Sequence, residues 1–392
     1  MASLDSTPVT FIGHPFAPIG MGEQLRSQVA AAAQVCIDCG VFDIFRYAQR
    51  NDPAHFALMA ERELRELPRG IRIFHVNGDE VDRVLEAFAA RGGDFSAGYN
   101  IVVPAWELPR YPQPWADRLV RFDEVWELSA FVRDSLAEAG IASHVIGQSV
   151  EQEPGVLLPR RFFGIRESAF VLLHFFDLTS YAVRKNPQGV LDLFARLRRS
   201  APFLDTQLVL KVKNGEAGAA DWARDLAADP QVRVIHTPLD TRATRSLIAA
   251  ADCFVSLHRA EGFGRGLGEA MALGRLALGT AWSGNVDFMS ERNALPVRHA
   301  LVPVPPDAYP HWRGQVWAEP DLDHALALLQ AVLDDPSRGR ARAAQGHLDV
   351  LRSHGNRAVG LRMLDRLGAI AAGGVKRAPA PAAKRRLLPT PA

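Results

Sequence analysis

Lysine, cysteine and long apolar runs are what this chain of 392 residues has least of. Three cysteines, Cys36, Cys39 and Cys253, are too few for a disulfide framework and suit a reducing compartment. Cys36 and Cys39 form a C-x-x-C, but no second pair and no histidines at ligand spacing accompany it, so they read as two helix-borne thiols and no metal is expected. No apolar run reaches the roughly 18 residues that a membrane span requires. Neither sign of charge dominates: 45 basic residues face 44 acidic ones, which removes the electrostatic case for nucleic acid in the body of the chain. The opening MASLDSTPVTFIG lacks the basic-then-apolar order of a signal peptide, and the expected location is the cytoplasm. A Gly-Lys dipeptide and a G-x-G-x-x-G are both missing, which excludes a Walker loop and the dinucleotide fingerprint.

What is present is a pattern that runs twice. Short β-branched or aromatic runs at 9–13, 71–76, 100–105, 124–128 and 143–147 alternate with helix-period stretches, and a second set follows at 169–176, 207–212, 232–236, 253–257 and 275–280. Continuous apolar strands separated by helices imply parallel sheets covered on both faces, hence two doubly wound α/β domains. The expected division is a first domain over 1–150, a linker over 151–165 rich in proline and polar residues, and a second domain over 166–355. A last amphipathic helix at about 356–372 is expected to pack back on the first domain. The tail from 373 to 392 carries proline, alanine and five basic residues. It is expected to be disordered, with a weak attraction to anionic lipid as its functional reading.

The stretch HRAEGFGRGLGEAMALG, residues 258–274, follows a strand and opens a helix. First-turn N–H groups lack intrahelical partners and the helix dipole favours negative charge, so such a turn is an anion site. Its glycines Gly262, Gly264 and Gly266 would let a ligand approach the backbone around Phe263 and Leu267. Glu261 would face the cleft at the carboxyl ends of the strands. Glu269, one turn into the helix, needs donors such as the hydroxyls of a ribose, or else serves as a cap or ion-pair partner.

Glu261 and Glu269 with the GFG between them resemble the E-x7-E motif of retaining glycosyltransferases of the two-domain GT-B fold, glycosyltransferase family 4. GMGEQLR (20–26), AWELPRYP (105–112), RFDEVWELSAFV (121–132), RKNPQGVL (184–191), SGNVDFM (283–289) and GQVWAEPDLDHA (314–325) extend the likeness over most of the chain. The resemblance implies two Rossmann-like domains facing across a cleft. It implies that Glu261 contacts the donor sugar, that Glu269 holds the ribose, and that the Gly262 to Leu267 backbone meets sugar and diphosphate.

Lysine scarcity supplies an independent pointer, since forty arginines stand against five lysines and three of the five are Lys185, Lys211 and Lys213. Lys185 follows a second-domain strand and would project from the same edge as Glu261, where an ammonium can neutralise a leaving diphosphate. Relatives often carry an arginine a few residues earlier. Here none precedes Arg184, so neutralisation falls to Arg184 and Lys185, with Lys211 a further candidate. In the first domain Gly20 and Gly22 open a helix, as a donor- or acceptor-facing loop or as an ordinary helix entry. Where relatives place a cleft histidine, this chain has Trp106 and Glu107; His14 and His75, each at a strand end, are the other acceptor-side candidates. Trp106, Tyr111 and Trp115 are candidates for sugar stacking or for core packing.

The resulting expectation is a metal-independent hexosyltransferase that retains anomeric configuration, acting in surface polysaccharide or glycoconjugate synthesis, in the cytoplasm and at the inner face of the membrane. Its partners would be a nucleoside diphosphate sugar, with GDP-mannose the first guess from the resemblance, and a saccharide or lipid-linked acceptor. Rival readings are a sugar-nucleotide epimerase or phosphorylase of the same fold, and an idle binding protein.

Overall fold

The structure is a computed structural model, which describes residues 7–46, 53–67, 69–152, 155–178, 180–213, 226 and 228–373. The expected basic tail lies outside the described residues from 374 onward. Strands β1 (Val9–Gly13), β2 (Cys39–Asp43), β3 (Ile71–Phe74), β4 (Tyr99–Val102), β5 (Glu124–Glu127) and β6 (His144–Val145) form one parallel sheet in the order β2-β1-β3-β4-β5-β6. Strands β7 (Phe170–Asp177), β8 (Thr206–Lys213), β9 (Val232–Ile235), β10 (Cys253–Ser256), β11 (Leu276–Thr280) and β12 (Leu295–Val297) form the other, in the order β12-β11-β10-β7-β8-β9. Each has helices on both faces, which is why VTFIG and CFVS are buried at every position. The protein is therefore two Rossmann-like α/β domains, the GT-B arrangement.

The order of strands fixes where ligands can sit. A doubly wound sheet has a switch point, where successive crossovers leave in opposite directions, and the crevice outside the carboxyl ends of those two strands is open. In the first sheet that point lies between β1 and β3, in the second between β7 and β10.

The sequence reading differs from the structure in lacking β2 and β12 and in placing two thiols on a helix. Cys36 and Cys39 are not helix-borne: the helix Gly20–Gln34 stops before Cys36, which turns to a φ of 59°, and Cys39 opens β2 opposite Val9. An antiparallel hairpin, β13 (His299–Pro303) and β14 (Val316–Pro320), also projects from the second domain. Among the described residues no helix is long and apolar enough to cross a membrane.

The chain passes between the domains twice, side by side. It leaves the first domain after β6 and returns at Gly355, between the helices Pro336–His354 and Asn356–Ala371. The two crossings are tied by Val150 N–H to the His354 carbonyl at 3.0 Å and by Asn356 N–H to Glu151 Oε2 at 2.7 Å. The returning helix then lies on Gly20–Gln34, where Gly360 allows backbone approach: a Cβ there would stand 2.3 Å from the Ala31 carbonyl oxygen. Arg366 clamps it to Glu124 at 2.5 and 2.8 Å.

Candidate functional site

The loop after β7 ends in a short helical turn, Ala182–Lys185, closed by Asn186 in left-handed conformation at φ 55°. Asn186 accepts Gly189 N–H at 3.1 Å, capping the next helix, and donates to the Leu257 carbonyl at 2.9 Å just past β10. Arg259 N–H adds a bond to the Arg184 carbonyl at 2.7 Å. The loops that follow the two switch-point strands are thus laced together by a backbone bond and by the Asn186 side chain.

Their side chains meet there as well. Lys185 Nζ donates to Glu261 Oε1, and Arg184 stands 3.2 Å from Glu261 Oε2 while donating to the Ala260 carbonyl at 2.6 Å. Burial works to raise the Glu261 pKa, but Lys185, Arg184 and His258 outweigh it and hold the carboxyl down at about 2. Arg184 is buried yet stays charged, because Glu261 and Glu107 more than offset its desolvation. Glu107, from the first domain, lies 3.8 Å from Arg184 and accepts the hydroxyl of Tyr309, which comes from the loop between β13 and β14.

A buried polar scaffold sets the Glu261 backbone. His258 contacts Ser256 Oγ at 3.0 Å and Asn285 Oδ1 at 3.0 Å, and its carbonyl accepts Thr280 Oγ1 at 2.6 Å. Ser283, at a φ of 72°, accepts Glu261 N–H at 2.8 Å, and Gly284 N–H donates to the Glu261 carbonyl at 3.0 Å. A strained non-glycine residue persists only where its surroundings over-determine it, as this network does.

The glycine turn is packed closely by protein. A Cβ on Gly262 would meet the Trp106 carbonyl oxygen at 2.7 Å, one on Gly266 the Phe254 ring at 2.6 Å, and one on Gly268 Val150 at 2.8 Å. Packing against the protein therefore already requires these glycines to lack side chains. Gly264 alone is required by its φ of 87°, as the residue that opens the helix Arg265–Ala272. Phe263 and Leu267 are core side chains, so only their backbone is available to a ligand. Glu269 forms an ion pair with Arg265 at 2.8 Å, and Glu23 of the first domain stands 3.7 Å from the same guanidinium. Burial, helped by Glu23, raises the Glu269 pKa against the pull of Arg265.

Several sequence candidates lie elsewhere. Lys211 is buried, its amine donates to the Val212 carbonyl at 3.0 Å, and burial with Lys213 nearby lowers its pKa to about 8. Lys213 is the lysine whose charge reaches Glu269. Gly22 serves helix entry, since a Cβ there would fall 2.3 Å from the Ala17 carbonyl oxygen, whereas Gly20 is open. Trp106 and Tyr111 are buried core rings rather than cleft surface. Trp106 packs edge-on against Trp115 at 5.2 Å. His14 and His75 do reach the first switch point, but both are buried. Desolvation, with Arg83 acting on His14 and His14 on His75, lowers them to about 4 and about 3. Sequence reasoning missed Tyr309, Glu23, Arg265 and Ser283. It also missed Ser129, which caps the helix Ala130–Glu138 and donates across the cleft to the Gly262 carbonyl at 2.5 Å. Only the charge of Glu23, within GMGEQLR, offered a sequence signal. Among the described residues no group of three or more histidine, cysteine or acidic side chains converges as a metal site.

Residues 175–308, which carry Arg184, Lys185, Glu261 and Glu269, match the family described as Glycosyl transferases group 1. No curated protein matches the chain. Among solved structures, Anabaena HepE in complex with UDP and glucose is similar at 14% identity and a TM-score of 0.63, over 93% of this chain and 100% of that one. Sucrose-phosphate synthase from Thermosynechococcus elongatus is similar at 16% identity and a TM-score of 0.64, over 94% of this chain and 100% of that one. At such identities the likeness is one of fold.

Proposed function

We propose that the protein transfers a sugar from a nucleoside diphosphate sugar to a hydroxyl of a saccharide or lipid-linked acceptor, with retention of anomeric configuration. The observation that carries this reading is the convergence of Arg184 and Lys185 on Glu261 at the second-domain switch point, three residues before the glycine that opens a helix. A departing diphosphate accumulates negative charge, and a fixed ammonium, a fixed guanidinium and helix-end N–H groups stabilise it without reorganising. The donor phosphate takes over the contacts that Lys185 now makes with Glu261, and the released carboxylate accepts hydroxyls of the transferred sugar. Glu269 likewise exchanges Arg265 for the ribose hydroxyls. The acceptor hydroxyl enters from the first-domain side, on the face the diphosphate leaves, so positioning supplies much of the acceleration. Because two side-chain cations serve the diphosphate, transfer should persist in EDTA.

GDP was the base suggested by resemblance, whereas HepE is seen with UDP. A thermal-shift titration with GDP, UDP, dTDP and ADP on wild type and Glu269→Ala decides between them, because a ligand that binds only the folded state raises apparent stability with its occupancy. One nucleotide stabilising wild type but not the variant identifies the base and supports the ribose role. Stabilisation by none overturns the donor reading. The same preparation, incubated with the matching nucleotide sugar, tests transfer against epimerisation by whether free nucleoside diphosphate is released. Vesicles with anionic headgroups test a role at the membrane surface through the basic tail.

A further inference from the structure

We propose that Tyr181 and Glu107 form the subsite for a pyranose ring of the acceptor, so that the acceptor is a saccharide at its reactive end. This rests on the transfer reading above and deepens it. Tyr181 adopts a φ of 53° and a ψ of 73°, left-handed values that a bulky non-glycine residue takes only where its surroundings hold it. The consequence of that backbone is a ring set edge-on against Tyr309, with centroids 4.8 Å apart, while 45% of Tyr181 stays exposed. Tyr309 itself is buried. Its hydroxyl donates to Glu107, and its ring lies 5.7 Å from the Arg184 guanidinium. Burial, reinforced by Glu107, pushes the Tyr309 phenol well above its ordinary range, so it remains a donor.

These contacts place a half-exposed aromatic ring and a carboxylate together on Tyr309, beside the group that already binds Glu261. Glu107 Oε2 takes the Tyr309 hydroxyl and Oε1 stands 3.8 Å from Arg184, which leaves lone pairs for further donors, since a carboxylate accepts about four hydrogen bonds. A pyranose matches both halves of the pair. Its C–H face is electropositive and lies well on the negative face of an aromatic ring, and its rim of hydroxyls donates to a carboxylate. An aliphatic polyol has no such face, and a phosphorylated acceptor would meet the charge of Glu107. Tyr309 touches no substrate in this arrangement; it is a positioning residue, delivered from the second domain to hold a first-domain carboxylate in place.

The test uses the full chain with methyl α-D-mannopyranoside, methyl α-D-glucopyranoside and methyl α-D-galactopyranoside as probes and glycerol as the ring-less control. Binding is followed by saturation-transfer NMR with and without the stabilising nucleotide. At least one pyranoside should bind wild type, with saturation strongest at its C–H face, and glycerol should not. Tyr181→Ala should weaken that binding about tenfold, the effect of losing one aromatic contact, while Tyr181→Phe should retain it. Glu107→Gln should weaken it as well, and Tyr309→Phe should weaken it less than Glu107→Gln. Nucleotide-induced thermal stabilisation should be the same in the Tyr181 variants as in wild type. Equal binding by wild type and Tyr181→Ala, or absence of pyranoside binding to wild type, overturns the subsite. Loss of the nucleotide effect in wild type instead overturns the donor reading and leaves the pyranoside arm to be read alone.

Discussion

The two sheets bring titratable residues to the same topological place and treat them in opposite ways. At the first switch point stand His14 and His75; at the second, Lys185 with Arg184 and Glu261. The histidines are desolvated and pushed neutral, and neither ring nitrogen of His75 meets a hydrogen-bond partner among the described residues. Glu127, at the end of β5, continues that theme: both carboxyl oxygens are buried without a partner among the described residues, and burial raises its pKa well above the usual range. Across the cleft Lys185 and Arg184 are matched by Glu261, and Arg265 by Glu269. The lesson is that one topology yields an edge of neutral histidines or an ionic edge according to whether the loops deliver countercharges.

The comparison breaks first at Lys185. Lys185→Ala should reduce turnover by about 10²–10³, the scale of one lost transition-state electrostatic contact, with a smaller effect on donor affinity. Steady-state kinetics with unchanged kcat would mean that the ionic edge does not serve chemistry. Next, Glu269→Ala should weaken nucleotide binding by about tenfold, as expected for loss of a charged hydrogen-bonding group. Isothermal titration checks it, and undiminished affinity refutes the ribose contact.

Two pH effects sharpen the other side. A carboxyl whose pKa is raised on folding gives stability that is complete below its unfolded value and lost as pH rises. Wild type should therefore lose about 1.4 kcal/mol per pH unit relative to Glu127→Gln, from the ordinary carboxyl pKa upward until Glu127 ionises in the folded state. His75 has the reverse sign, being lowered to about 3, so its stability is present above the unfolded pKa and lost as pH falls. His75→Phe should flatten the acid limb between about pH 6.5 and 3. Urea unfolding at a series of pH values reads both, and parallel wild-type and variant curves would remove these groups from the account. The smallest expected effect is that of Gly262→Ala, whose Cβ presses on the Trp106 carbonyl. It should lower Tm by a few degrees, as overpacking of about 1 kcal/mol does, which differential scanning calorimetry reads.

Most of this fold was legible because parallel strands covered on both faces are continuous apolar runs, and every such run read from the sequence became a strand. Strand β2 escaped because CGVFD follows a helix almost directly and carries a glycine. The hairpin β13–β14 escaped because its faces are partly solvated and its prolines read as loop. At the candidate site, Glu261 and Lys185 were legible because each follows a strand that reaches one edge. Tyr309 with Glu107, and Arg265 with Glu23, were not: each pair joins different domains, and nothing local in the sequence announces a partner that far away. The glycines were legible as a need for bare backbone, but not which atoms would press on them. That the occupants are Trp106, Phe254 and Val150 follows only from packing.

The doubled passage of chain at Val150 and His354 has a mechanical meaning. A single covalent joint lets one body swivel about any axis, whereas two joints lying side by side behave as the two leaves of a door hinge. They permit swing about the line between them and oppose torsion. Whatever widens the cleft must therefore move Ser129 away from Gly262, Glu107 from Arg184 and Glu23 from Arg265 along a common arc. A swing about that line separates all three pairs together, so opening at one of them is opening at all.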